Sequence, residues 1–69
     1  MEVGKKIVLY RKKVFLTQED LADKMGVSRQ TIYKWEHGLA YPELRKLEQL
    51  TKILNISFDD LLKTEEKKK

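Results

Sequence analysis

The twenty residues QEDLADKMGVSRQTIYKWEH, Gln18 to His37, decide the fold of this chain. Read at helical spacing, Leu21, Val27, Ile32 and Trp35 supply one buried side. Thr17 and Ser28 stand where two helices begin, each with a hydroxyl able to accept from an orphan backbone N–H. Gly26 closes the first of these helices as a residue free to take a positive φ. Ala22 sits mid-helix, where only a small side chain lets another helix cross closely. The reading is two helices, about 17–25 and about 28–37, joined by a turn of about three residues.

The same signal recurs outward from this stretch. LTQEDL (16–21), VSRQTI (27–32) and ISFDDL (56–61) each place an apolar residue before a Thr or Ser and another four positions after it. The flanking pair reads as a hydrophobic staple. Thr17 with Asp20 and Ser57 with Asp60 add a weaker form of the capping box, whereas the second copy has Thr31 at that place. Gly26, Gly38 and Asn55 mark helix ends. Val3, Ile7, Tyr10 and Val14 make an apolar stripe on a first helix, with Lys5, Lys6, Arg11, Lys12 and Lys13 around it. Between Pro42 and Asn55, Leu44, Leu47, Leu50, Ile53 and Leu54 mark a fourth. No segment alternates long enough for a strand. The expectation is an all-α, compact five-helix domain over residues 1–63, followed by a charged tail, 64–69, that frays.

The totals narrow the function. Sixty-nine residues hold one core. A net charge of +4, from 15 Lys+Arg against 11 Asp+Glu, favours an anionic partner. Cysteine is absent and histidine occurs once, so disulfides, cysteine-based metal sites and cysteine nucleophiles are excluded. No Gly-rich phosphate loop, cofactor motif or metal-ligand cluster is visible, and the chain reads as no enzyme. No signal peptide is evident, and the longest apolar run, IVLY at 7–10, cannot span a bilayer. A cytoplasmic location is expected.

With Ile32 and Trp35 turned inward, Arg29, Gln30, Tyr33, Lys34 and His37 project outward, on a face that carries no acid. A steep crossing through a tight turn is the geometry of a helix-turn-helix. The string TQEDLADKMGVSRQTIYKWEHG, then Pro42 and LRKLEQLTKILNISFDDLL, resembles the Cro/phage-repressor family, the xenobiotic-response-element type. The resemblance covers roughly residues 3 to 63. It implies a five-helix globule whose third helix enters the major groove of double-stranded DNA. Arg29 can donate twice to guanine, and Gln30 can pair bidentately with adenine. Lys34 can reach a guanine edge or a phosphate, and Tyr33 a thymine methyl or a phosphate. Thr17 and Gln18, at the start of the second helix, are expected to approach phosphates, with Lys12, Lys13, Arg45 and Lys46 as candidate cations beside Lys5 and Lys6. Arg11 and Glu36 resemble a structural ion pair of the family. His37 is expected to serve the end of the recognition helix, and Trp35 the core.

The family usually has glycine where this chain has Phe15, two residues before Thr17-Gln18. A phenylalanine held at positive φ would be strained. Either the turn differs here or Phe15 packs over the core. The family's habit of dimerising, applied here, predicts a sequence-specific repressor that reads a palindrome as a homodimer. Phe58 and Leu62 are candidates for that interface, bordered by Leu39 and Tyr41. A rival reading, a protein-interaction module on the same fold, would call for apolar residues on the helix-3 face. The chain could equally be the DNA-binding piece of a longer repressor.

Overall fold

Four helices of this chain end in the same way, at one residue in the left-handed conformation. These are Phe15 (φ 60°), Gly26 (φ 72°), Gly38 (φ 71°) and Asn55 (φ 60°). In each case the next N–H reaches the carbonyl five residues back. The bonds are Leu16 to Arg11 at 3.0 Å, Val27 to Ala22 at 3.0 Å, Leu39 to Lys34 at 2.8 Å and Ile56 to Thr51 at 3.0 Å. This is the Schellman arrangement, which satisfies carbonyls the helix itself leaves over. Leu16, Val27 and Ile56 then act a second time. Each precedes the N-cap of the following helix and packs against the core that holds Leu21, Ile32 and Leu61, the residues at the staple position, all 0% exposed. One apolar side chain thus closes one helix and staples the next, which is why the apolar–hydroxyl signal repeats along the chain. Leu39 breaks the series. It is followed by Ala40 rather than a hydroxyl cap, and it stays 68% exposed.

The computed structural model describes residues 2–63, so the expected tail, 64–69, lies outside the described residues. The helices are α1 (Glu2–Lys13), α2 (Gln18–Met25), α3 (Arg29–Glu36), α4 (Leu44–Leu54) and α5 (Phe58–Leu62). The architecture is all-α, as expected, and no strand occurs among the described residues. α1 packs on α3 and α5, α2 on α3 and α4, and α4 on α5. The core joins Val3, Ile7, Leu21, Ile32, Trp35, Leu50 and Leu61 from all five helices.

Several expectations need correction. Val14 shares the phase of the first stripe, but α1 ends at Lys13, and Val14 is exposed on the turn beyond it. Leu44 belongs to the fourth helix as expected, yet it is exposed. It opens α4 roughly 90° round the helix from the direction shared by Leu47, Leu50 and Leu54, which are buried. Lys6 is buried along the edge of the α1 stripe and is no surface cation. Gly4 lies inside α1. A Cβ there would stand 2.6 Å from the Trp35 carbonyl oxygen and 2.7 Å from that of Glu36. The absence of a side chain is what lets α1 cross the end of α3 at backbone contact.

Candidate nucleic-acid interface

The third helix is set by its first turn. Ser28 accepts from the Thr31 N–H at 3.1 Å, and the two hydroxyls lie 3.1 Å apart. With Ile32 and Trp35 buried, Arg29, Gln30, Tyr33, Lys34 and His37 are all exposed. At 3.6 residues per turn they span an arc of roughly 140°. Within that arc the Tyr33 ring stacks on His37, with centroids 4.0 Å apart. His37 Nδ1 lies 2.9 Å from the Tyr33 carbonyl oxygen. The histidine therefore ties itself to the last turn of α3 and holds the tyrosine ring in place. The four-residue spacing of the two rings was visible in the sequence and could have signalled the stack.

Beside this face lies the start of α2. The Thr17 hydroxyl accepts from the Asp20 N–H at 2.9 Å, and the Asp20 carboxylate accepts from the Thr17 N–H at 2.9 Å. Hydrogen bonds from the Thr17 backbone and side chain hold the Asp20 carboxyl below its ordinary value. Its contribution to stability is therefore present above the unfolded-state pKa and lost as pH falls through the lower folded one.

Behind both elements is a buried polar network. Arg11 Nε lies 2.7 Å from Glu36 Oε2, and Arg11 Nη2 donates to Glu36 Oε1 at 3.3 Å. Arg11 Nη1 donates to the Leu16 carbonyl at 2.9 Å. Gln18 Nε2 donates to Glu36 Oε1 at 2.8 Å. The Glu36 side chain is 2% exposed and that of Arg11 11%. One carboxylate on α3 thus fixes α1, the α1–α2 turn and the first residue of α2. The sequence suggested the ion pair but not the part of Gln18. That amide keeps a second N–H besides the one given to Glu36.

The remaining cations divide. Lys12, Lys13 and Arg45 are exposed, and Lys13 Nζ lies 5.9 Å from the Tyr10 ring centroid. Lys46 is half-buried, with Nζ 3.5 Å from the Met25 carbonyl at the end of α2. Phe15 resolves the two alternatives unexpectedly. The turn does adopt the left-handed conformation, and the ring does not pack over the core: Phe15 is 91% exposed. A shallow groove runs from this turn to the start of α3, lined by Lys12, Phe15, Thr17, Gln18, Glu19 and Arg29. Away from it, Phe58, Leu62, Leu39 and Tyr41 are exposed, and Leu44 joins them. Among the described residues no cluster of His, Cys, Asp or Glu could hold a metal, and no helix is long and apolar enough to cross a membrane.

The chain is similar in sequence and fold to known proteins. A helix-turn-helix family model matches residues 7–61. The transcriptional activator BcrR of Enterococcus faecalis is 41% identical over 66 residues, covering 96% of this chain and 32% of BcrR. The chain spans between about a third and a half of the first curated relatives it matches. The P22 c2 repressor, solved with a synthetic operator, superposes with a TM-score of 0.83 at 36% identity, covering 91% of this chain and 96% of that one. SinR, the master regulator for biofilm formation, solved with DNA and known from Bacillus subtilis, gives a TM-score of 0.80 at 31% identity, covering 87% and 97%. With its caps, its turn and its buried helix pair, this chain belongs to the Cro/C1-type helix-turn-helix family.

Proposed function

We propose that this chain is a sequence-specific DNA-binding transcriptional regulator that lays α3 in the major groove. One observation carries the reading: the α3 side chains not needed by the core form one exposed arc of hydrogen-bonding and basic groups without an acid. Arg29 donates to the O6 and N7 of guanine and Gln30 pairs with adenine. Lys34 reaches a guanine edge or a phosphate. Tyr33, held by His37, offers its ring to a thymine methyl or its hydroxyl to a phosphate. Thr17, Gln18, Lys12, Lys13 and Arg45 meet the phosphates and set the register. The P22 c2 and SinR complexes with DNA support this docking. The site of action is then the cytoplasm, where bacterial and archaeal DNA lies.

The test is retardation of a random-sequence duplex at two salt concentrations, followed by in vitro selection of bound duplexes. Retardation at low salt that weakens steeply with added salt is the expected result. No retardation at low salt would remove the reading, because phosphate attraction alone should give some. The proposed activity is repression, as the P22 c2 name suggests, while BcrR is named an activator. Transcription from a promoter carrying the selected site distinguishes the two, and an increase on adding the protein would overturn repression.

Such a domain has a small footprint, and a homodimer would read a palindrome with half-sites about 34–36 Å apart. Phe58, Leu62, Leu39 and Tyr41 supply the apolar surface for it, and the unstapled Leu39 is the most exposed of them. Phe58→Asp should lower the sedimenting mass to that of one chain. An unchanged mass would reject Phe58 as an interface residue.

A further inference from the structure

The α1–α2 turn holds a phenylalanine that the domain itself does not use. Phe15 adopts φ 60° without the freedom of glycine and presents 91% of its surface to solvent. The left-handed region disfavours a residue with a Cβ, and an exposed ring adds nothing to the core. Hydrogen bonds of the turn hold the backbone there, from Leu16 N–H to the Arg11 carbonyl and from Arg11 Nη1 to the Leu16 carbonyl, but the ring itself is left in solvent, which points to an external contact.

The surroundings say with what. Phe15 lines the groove that also holds Lys12, Arg29 and the start of α2 at Thr17 and Gln18, with Glu19 the acid on its edge. Lys12 and Arg29, both exposed, give the groove a cationic rim, with the acids Glu19 and Asp20 in the first turn of α2 on its other side. A second copy of this chain, itself at +4, has no charge reason to sit there. A sugar–phosphate backbone has the alternation the groove needs. Its phosphates suit the cations, and the C–H edges of its deoxyriboses suit an apolar ring. We infer that Phe15 packs against a deoxyribose of bound DNA, between phosphates held by Lys12 and by the start of α2. The inference rests on the DNA-binding reading and adds to it an apolar anchor outside the recognition helix.

An apolar contact has a signature that a phosphate contact lacks. Phe15→Gly should bind DNA more weakly by roughly tenfold, with the dependence of log affinity on log salt unchanged. Its melting temperature should be unchanged or higher, since glycine relieves the left-handed conformation. Phe15→Asn, which also tolerates that conformation, should lose the same affinity, and Phe15→Tyr should keep it. Equal binding by wild type and Phe15→Gly, both retarded and both folded, would overturn this inference and leave the DNA reading intact. A wild type that binds no duplex would overturn both. A shallower salt dependence in Phe15→Gly would overturn the apolar role, and a smaller sedimenting mass without DNA would assign the ring to a second copy.

Discussion

Replacing Glu36 with alanine should cost about 3–5 kcal/mol of folding stability, the usual effect of removing one partner from a buried ion pair. A domain of this size has a total stability of roughly 3–10 kcal/mol, so the variant should be close to unfolded at room temperature. The size of the effect comes from what is left behind. Arg11 would keep its charge with its side chain 11% exposed, and Gln18 would lose the acceptor 2.8 Å away. Arg11 would still donate to the Leu16 carbonyl. The ion pair need not itself be a large net source of stability. Arg11→Met with Glu36→Leu should therefore recover much of the loss, because both charges leave together. Urea melting of the three proteins checks the expectation. A loss below about 1 kcal/mol for Glu36→Ala would mean that water already reaches the pair and that it behaves as a surface bridge.

The same network links stability to function. Glu36 lies at the end of α3, Arg11 near the end of α1 and Gln18 at the start of α2. The carboxylate therefore fixes the orientation of the recognition face relative to the proposed phosphate-binding end of α2. Gly4, by letting α1 meet the Trp35 and Glu36 carbonyls, sets α1 against the same end of α3.

Legibility in the sequence follows how local each interaction is. The caps at Thr17, Ser28 and Ser57 and the ends at Gly26, Gly38 and Asn55 were readable because each is decided within about six residues. The outward phase of Arg29, Gln30, Tyr33 and Lys34 followed, since Ile32 and Trp35 pin the helix. What depends on a distant element was not readable. Gly4 looks like a break until α3 is placed against it. Lys6 looks like a surface cation until α1 is seated. Leu44 fits a leucine count but not the packing direction of α4, and Val14 keeps a helical phase after the helix has stopped. Phe15 is a different case. The residue was conspicuous, but local rules offered a changed turn or a packed ring, and the structure has neither.

The largest functional effect is expected from Arg29→Ala combined with Lys34→Ala. Affinity for the selected duplex should fall by roughly 2–6 kcal/mol, the sum of two base contacts worth about 1–3 kcal/mol each. Both side chains are exposed and outside the core, so folding should be unaffected. The decisive comparison is between duplexes. If both residues read base edges, binding to the selected site should suffer far more than binding to random sequence. Reselection with the double variant should then show relaxed preference at the positions each had faced. If they touch only phosphates, the loss should be equal for all sequences, and the salt slope should fall by about 0.9 for each contact removed. Arg29 is the sharper of the two cases. It opens α3 and also lines the groove beside Phe15 and Gln18, so the proposed docking leaves it either role. A uniform loss from Arg29→Ala alone would move it to the phosphates, leaving Gln30 and Lys34 to carry the sequence readout.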